Sequence, residues 1–319
     1  MLRFLVRRLL QGIVVMWLVA TVVFAMYFIA PHDVARLLAG RQATPQTVAA
    51  VSRTLGLNRP ILSQYGSYLW KALHGNLGYS YVNSTPVTTL IKQSFPATFS
   101  LAIGGAVIWL IIGVSSGVLT ATRARSAADR ITTGVALVFY SMPTFLLGEL
   151  LLLLFFLELH KAGIDWFPAS GYVPFAQSPS QWVSHRVLPW LTIALVSAAT
   201  YTRLTRASML DVLGEDYIRT ARAKGITERR VTYRHALRAA ATPVVTQFGI
   251  DVGTLLGGVI VTETIFGIPG LGQLAINSIG HQDLPTVIGL VLLGSAFVVV
   301  ANLLVDLAYA VLDPRVRRT

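Results

Sequence analysis

The stretch ATFSLAIGGAVIWLIIGVSSGVLTAT, residues 97–122, decides the fold class of this chain. Its 26 residues contain no charged side chain. A bilayer hydrocarbon core about 30 Å thick requires ~20 mainly apolar residues in a helix. Because the run lacks the alternation that is typical of a membrane β-strand, it predicts a membrane-spanning helix.

The composition of the whole chain agrees with this prediction. Of the 319 residues, 54% are hydrophobic and 13% are charged, whereas soluble domains carry about 25% charged residues. This hydrophobicity excludes a disordered chain, and the absence of cysteine excludes a disulfide scaffold. Because so few residues are charged and so many are hydrophobic, an ordinary soluble enzyme is disfavoured and an integral membrane protein is expected.

Six segments are apolar enough to span a bilayer, which predicts an all-α integral membrane protein with six transmembrane helices. They are 9–30, 97–122, 131–157, 187–202, 239–266 and 284–312. The first is longer than the apolar core of a signal peptide, so we interpret it as a retained anchor. The third contains Pro143, which can kink a helix. The fourth is short, and it extends as a helix only if Arg203 and Arg206 reach the lipid headgroups.

The distribution of basic residues predicts the orientation. The chain has 26 Lys and Arg against 14 Asp and Glu, a formal charge of +12. With the N-terminus inside, 18 of the 26 basic residues lie in cytoplasmic segments. Because cytoplasmic loops are enriched in Lys and Arg, both termini are expected in the cytoplasm.

The loop 203–238 is too polar to enter the membrane, and it carries nine of the 26 basic residues. Its pattern predicts a helix from Glu215 to Lys224 that ends at Gly225, and a second helix that starts at Thr227 and runs into the fifth span. Such a helix–glycine–helix element could transmit a push from a cytoplasmic partner. The alternative is that the positive charges only fix topology and contact anionic lipid.

The segment between the first two spans predicts two amphipathic helices. One begins at Thr44-Pro45 and ends near Gly56, and the other ends near Gly75. They form either a helical hairpin that lies on the extracytoplasmic face of the membrane or a docking surface, and the sequence favours neither.

At the cytoplasmic loop, the sequence DYIRTARAKGI, residues 216–226, resembles the loop of ABC importer permeases in their dipeptide and oligopeptide branch. The general family pattern has Glu-Ala-Ala, three residues, Gly, nine residues and Ile-x-Leu-Pro. This chain matches it at Ala221, Gly225 and Leu237, and it departs from it at Arg219, where the pattern has Glu. Thr220, His235 and Arg238 depart as well, yet R-T-A-R-A-K-G followed by R-H-A-L-R is similar to the peptide-branch version.

Further stretches carry the same resemblance in order along nearly the whole chain. They are LGLNRP at 55–60, GNLGYS at 75–80, FPATFSL at 95–101, ETIF at 263–266, PGLG at 269–272 and DLP at 283–285.

The resemblance implies the fold of a type I ABC importer transmembrane domain in a bacterial cytoplasmic (inner) membrane. It divides the chain into an N-terminal transmembrane anchor (1–30), an extracytoplasmic helical segment (31–94), a permease transmembrane domain (95–312) with the coupling loop 203–238, and a basic cytoplasmic tail (313–319).

The resemblance also implies the function and the partners. The chain would be one of two permease subunits of a peptide importer, paired with a second homologous permease. Two cytoplasmic ABC ATPase subunits would bind ATP and Mg, and an extracytoplasmic substrate-binding protein would deliver the ligand. Relatives in the branch carry dipeptides, longer peptides, glutathione, nickel chelates or haem, so the ligand stays open.

The 216–226 segment would be the coupling helix seated in a groove of the ATPase. The residues carried over for this role are Asp216, Tyr217, Arg219, Thr220, Ala221, Arg222, Ala223, Lys224, Gly225 and Ile226.

Carboxylates inside predicted spans are costly and mark candidate functional positions. Asp251 and Glu263 lie about 120° apart on one helix. Asp251 could line the passage or hydrogen-bond across a helix interface, whereas Glu263 and the turn after Phe266 lie towards the outside, where a gate could form. We group Gly257 with these three as candidate pathway residues. The rival function is a proton-coupled secondary transporter that uses Asp251 and Glu263.

Other chemistry is absent or weakly supported. The sequence contains no phosphate-binding loop, so the chain is expected to bind no cofactor and not to hydrolyse ATP itself. It has no metal-ligand spacing and no nucleic-acid pattern. The run GVSSG, residues 113–117, matches a serine nucleophile motif, but inside an uncharged helix its small residues favour close helix packing over an intramembrane hydrolase.

Overall fold

The computed structural model describes residues 2–28, 44–55 and 58–312. This part of the chain is almost entirely helical. Its main helices are α1 (Leu2–Phe28), α2 (Pro45–Leu55), α3 (Ile61–Leu73), α4 (Val87–Thr122), α5 (Ala127–Ser141), α6 (Thr144–Leu151), α7 (Pro179–Leu213), α8 (Asp216–Ala223), α9 (Leu237–Gly258), α10 (Ile260–Ile265), α11 (Leu271–Gly280) and α12 (Leu284–Leu312).

Shorter elements complete the described part. A two-stranded antiparallel ribbon joins β1 (Tyr79–Ser80) to β2 (Thr85–Pro86), with Ser80 opposite Thr85. The π-helical stretch Leu152–Glu158 follows α6 and continues into the single turn Leu159–Lys161. The turn Glu228–Arg230 and the π-helical stretch Val231–Ala236 lead into α9.

The chain divides into two compact units. The first comprises Phe95–Gln273 with the described residues from Val300, and the second comprises the described residues of 2–94 and Leu274–Val299.

The core of the first unit is built where α4 and α7 approach closely. A methyl group on Gly113 would come within 2.4 Å of Cβ of Tyr201, and one on Gly117 within 2.5 Å of Cβ of Thr205. Trp109 and Tyr201 are completely buried beside this contact. The small residues of the G-x-S-x-G run therefore let two membrane helices touch, as the packing interpretation predicts.

In the second unit, α1 and α3 meet through polar and aromatic contacts. The hydroxyl groups of Thr21 and Tyr65 lie 2.6 Å apart, and the ring of Phe24 stacks edge-on against Tyr65 at 5.1 Å. The second predicted helix of this segment is present and ends, as expected, near Gly75, whose φ is +75°. Residues 29–43, 56–57 and 313–319 are outside the described part, so the predictions for the start of the outer segment, Gly56 and the basic tail stay untested.

Four helical stretches in the described residues are long and apolar enough to cross a membrane. They are Val6–Met26, Val87–Thr122, Pro179–Leu213 and Leu284–Leu304. The predicted third span is not one straight helix: α5 and the helical run from Thr144 to Lys161 are bent by 107° at Met142-Pro143. Counted as one broken span, this pair raises the number to five.

The predicted fifth span also differs from a single helix. It is interrupted at Val259, which separates α9 from the short α10. The helix α9 is not among the apolar spanning helices found in the described residues, and it carries the polar side chains of Arg238, Gln247 and Asp251.

The predicted fourth span is longer than expected. The helix α7 runs for 35 residues and includes both Arg203 and Arg206. Arg206 pairs with Asp129 instead of extending to a lipid headgroup, and the guanidinium of Arg203 lies 5.2 Å above the ring of Tyr140.

Candidate functional site

The 216–226 segment folds as a short helix with a sharply defined end. Glu215 has extended backbone angles, and α8 starts at the acidic Asp216 and carries Arg222 in its last turn. Negative charge at the start and positive charge at the end both favour the helix dipole.

Gly225 ends this helix in a left-handed conformation with φ +76°. Its N–H donates to the carbonyl of Arg222 at 2.9 Å, and the N–H of Ile226 donates to the carbonyl of Ala221 at 3.3 Å. These two hydrogen bonds form a Schellman motif, which confirms the predicted role of Gly225 at the helix end. A methyl group at this position would meet no atom within 4 Å, so the requirement for glycine comes from the backbone angle.

One face of α8 is anchored to the membrane helices. Ile218 is completely buried and Ala221 is buried at the next turn. Both belong to a cluster with Val118 of α4, Met209 of α7 and Val231, and Ile226 packs against it. Because apolar burial holds α8 against three elements, its position is tied to theirs.

The other face of α8 is polar and exposed. It carries Asp216, Tyr217, Arg219, Thr220, Arg222, Ala223 and Lys224. The ion pair of Arg219 with Asp216, at 3.3 Å, is largely in solvent and contributes little to stability. Partial burial, helped by the charge of Glu215, raises the pKa of the Tyr217 hydroxyl, so this side chain stays neutral at physiological pH.

An ion pair between Arg222 and Glu228 stabilises the turn after α8. The guanidinium of Arg222 donates to both oxygens of Glu228, at 2.8 and 3.4 Å. From Glu228 the chain is helical without interruption through α9 to Gly258. The Arg222–Glu228 contact therefore connects the end of α8 with the helical run that contains α9.

An ion pair that the sequence does not reveal lies near this site. Arg206 donates from Nε to Oδ1 of Asp129 and from Nη2 to Oδ2, both at 2.9 Å. The backbone N–H of Arg125 donates to the same carboxylate at 2.9 Å. The pair joins α7 to the start of α5, and its members are 77 positions apart in the sequence, so no local pattern indicates it.

Asp251 is engaged across a helix interface. Its Oδ2 accepts a hydrogen bond from the hydroxyl of Tyr201 at 2.8 Å, and its Oδ1 accepts one from Nε2 of Gln247 at 2.8 Å. Of the two sequence alternatives, this arrangement corresponds to the helix-interface contact. Gly257 lies in α9, and its surroundings are outside the described part of the chain.

Glu263 is completely buried. Its Oε1 accepts from the hydroxyl of Thr98 at 2.5 Å, and its Oε2 accepts from the backbone N–H of Gln273 at 3.0 Å. A methyl group on Gly270 would come within 2.0 Å of Oε1. The carboxylate thus caps the start of α11, and the glycine leaves room for it.

The turn after Phe266 is held from a second side. Phe266 is buried, and its carbonyl accepts a hydrogen bond from the N–H of Gly171 at 3.0 Å. The structure does not bring Glu263 and Asp251 together, because they lie on separate helices with different partners.

Two other kinds of chemistry can be assessed from the geometry. Within the described residues, no group of three or more His, Cys, Asp or Glu side chains could hold a metal ion. The hydroxyls of Ser115 and Ser116 both donate to carbonyls one turn back in α4, each at 2.5 Å. They are part of a helix and not of a strand–turn–helix nucleophile motif.

Comparisons with known proteins identify the family. Residues 113–318 match the family described as binding-protein-dependent transport system inner membrane component, and residues 1–102 match the N-terminal model of the same membrane components. The chain is similar to the dipeptide transport system permease protein DppB of Escherichia coli K12, with 38% identity over 338 residues, 99% of each chain.

Two further similarities agree. A protein of Sinorhizobium fredii named "Probable peptide ABC transporter permease protein y4tP" is 38% identical over 314 residues, which covers 98% of this chain and 99% of the relative. Among solved structures, the MetNI methionine ABC transporter in an inward-facing conformation matches with a TM-score of 0.54 and 17% identity, over 70% of this chain and 96% of that chain. The latter likeness concerns the fold alone. The chain is an all-α membrane protein that belongs to the family of binding-protein-dependent transport system inner membrane components.

Proposed function

We propose that this chain is the membrane-spanning permease subunit of an ATP-driven importer for dipeptides and oligopeptides. The observation that carries the proposal is 38% identity over nearly the whole chain to a dipeptide permease. The chain forms half of the translocation pathway, and a second homologous permease forms the other half. An extracytoplasmic substrate-binding protein delivers the peptide.

We further propose six membrane spans with both termini in the cytoplasm of a bacterium, and the inner membrane as the location. The concentration of 18 of the 26 basic residues in the segments assigned to the cytoplasm supports this orientation. The bent α5–α6 pair and the interrupted α9–α10 pair would supply the third and fifth spans.

The 216–226 segment is proposed to couple transport to two cytoplasmic ATPase subunits. Its buried face is fixed to the inner ends of α4 and α7, and its exposed face presents Tyr217, Arg219 and Lys224. A partner that binds the exposed face can move α8 as a rigid body, and α9 moves with it because the two are connected. ATP and Mg are bound by the partner subunits, since this chain lacks a phosphate-binding loop.

We propose that Glu263 and Phe266 belong to an outer gate. The proposal is supported by hydrogen bonds that hold the turn between α10 and α11 from two sides. The carboxylate of Glu263 accepts them on one side, and the N–H of Gly171 donates one on the other. Asp251 is proposed to hold α9 against α7 beside the pathway, and Gly257 remains a candidate pathway position.

The rival proton-coupled transporter receives less support. The carboxylates of Asp251 and Glu263 each accept two hydrogen bonds from donors on the surrounding helices and backbone. The family itself is one of binding-protein-dependent systems, in which the carboxylates need no proton-carrying role.

The experiment that tests the proposal is purification of the tagged chain with its natural partners, followed by ATPase assays across a panel of di- and oligopeptides with the binding protein present. We expect ATPase subunits to copurify and peptides to stimulate hydrolysis. Recovery of the chain alone, or hydrolysis that no peptide stimulates, would contradict it.

A further inference from the structure

A cleft of about 630 Å³ opens between the second half of α4 and the stretch that precedes α9. Its walls include Ile111, Val118 and Leu119 on α4, and Arg229 and Tyr233 on the opposite side. All of these residues belong to the first unit. Two of its lining residues, Val118 and Glu228, also take part in the contacts of α8 described above, whereas Ile111, Leu119, Arg123 and Arg229 have no part in those contacts.

The α4 wall of the cleft is mainly apolar. Ile111 and Leu119 are exposed to it, with 63% and 39% of their surfaces accessible. The serine hydroxyls that interrupt this wall, Ser115 and Ser116, donate their hydrogen bonds back into α4 at 2.5 Å. With those donors already used, the wall favours contact with hydrocarbon over contact with a polar ligand.

The cleft also has a positively charged part. Arg123 and Arg229 line it, and among the described residues neither guanidinium lies within ion-pair distance of a carboxylate. Glu228 also lines the cleft, but both of its oxygens accept hydrogen bonds from Arg222. Two guanidinium groups therefore line the cleft without a carboxylate partner among the described residues, which fits an anionic ligand.

The length of the cleft matches one leaflet of a bilayer. Ile111 and Arg123 are twelve residues apart on α4, which corresponds to about 18 Å along a helix. Half of a hydrocarbon core that is about 30 Å thick measures about 15 Å. The apolar wall thus lies at the depth of acyl chains when the two arginines lie at the level of the headgroups.

We propose that this cleft binds one anionic phospholipid, with its phosphate on Arg123 and Arg229 and an acyl chain along Ile111 and Leu119. The leaflet is the one at the end of α4 that we propose to be cytoplasmic. The inference depends on the membrane position of α4 and not on the identity of the cargo. A failure to transport peptides would therefore leave it standing.

The test uses the complete transporter in nanodiscs of phosphatidylcholine with or without phosphatidylglycerol. A photoreactive amino acid replaces Leu119 in the wall, and the adducts are identified by mass. We expect a phosphatidylglycerol adduct. Its yield should fall on the order of tenfold in the double variant Arg123→Gln, Arg229→Gln, because each basic residue adds to the attraction for an anionic lipid.

The control is the double variant Arg130→Gln, Arg230→Gln. It removes the same charge from two exposed arginines that do not line the cleft, and it should keep the adduct. Three results would overturn the proposal. They are an adduct with the partner permease in place of lipid, equal capture of the neutral and anionic lipids, and an equal loss of adduct in both double variants.

Discussion

The hydroxyl of Thr98 donates a hydrogen bond to Glu263 at 2.5 Å and accepts one from the backbone N–H of Leu271 at 2.7 Å. The side chains of Thr98 and Glu263 are completely buried. One threonine therefore joins three elements of the first unit, namely α4, α10 and the start of α11. If the turn between α10 and α11 is part of an outer gate, this relationship holds the gate in the conformation observed.

Replacing Thr98 with valine tests that role. The change keeps the shape but leaves the Leu271 N–H without an acceptor, at a cost of about 1–3 kcal/mol. We expect a lower melting temperature of the purified complex and higher ATPase activity in the absence of ligand, because the gate is released.

The matched control is Thr120→Val in the same helix. Thr120 is equally buried, and the hydrogen bonds that its hydroxyl makes in the described structure go to carbonyls of its own helix. A rise in ligand-free hydrolysis that is equal in both variants would show that Thr98 has no special connection to gating.

Gly225→Val should uncouple the transporter. A β-branched residue in the left-handed region costs about 1–2 kcal/mol, so the end of α8 unwinds or shifts away from the partner. We expect normal membrane insertion with loss of peptide uptake and of ligand-stimulated hydrolysis. Gly225→Asn should retain most activity, since asparagine tolerates this conformation. Unchanged ATP-driven uptake in the valine variant would argue against a coupling role.

Substitutions of two neighbouring residues on α8 should have different effects on stability. Ile218→Ala removes a fully buried side chain and should lower stability by about 2–5 kcal/mol. Tyr217→Ala alters a side chain that is 47% exposed, so its effect on stability should stay within about 0.5 kcal/mol.

The same pair separates anchoring from partner binding. Copurification of the ATPase subunits should fall for Tyr217→Ala while its melting temperature is unchanged. If the tyrosine variant bound the ATPases as well as the unmodified chain, the exposed face of α8 would not be the contact surface.

The role of the 113–117 run can be decided by two substitutions. A side chain at Gly117 would lie 2.9 Å from the carbonyl oxygen of Thr202 and 2.5 Å from Cβ of Thr205. Gly117→Val should therefore separate α4 from α7 and lower expression and melting temperature, at a cost of about 1–3 kcal/mol. Ser115→Ala should leave transport intact, and loss of activity in that variant would revive the hydrolase alternative.

Local features of the site could be predicted from the sequence because their causes are local. Gly225 follows a run of good helix formers, and only a few residues around it determine the helix end. A kink near Pro143 was expected, since proline cannot continue the hydrogen bonds of a helix. Its size, 107°, could not be predicted from the proline alone.

Long-range partners could not be predicted in this way. Arg206 was expected at the headgroups, but Asp129 lies within reach only after α5 and α7 have packed. Glu263 was expected to be functional as an intramembrane carboxylate, yet Thr98 lies 165 residues away. The one local hint was the glycine at 270, whose missing side chain makes room for the carboxylate.

The most direct test of the central claim is uptake of a labelled dipeptide into proteoliposomes that contain this chain, its partner permease and the ATPase subunits, with binding protein outside and ATP inside. The account predicts uptake that requires ATP and all of these components, and that persists when the proton gradient is collapsed. Uptake by this chain alone, driven by a proton gradient and indifferent to ATP, would contradict it.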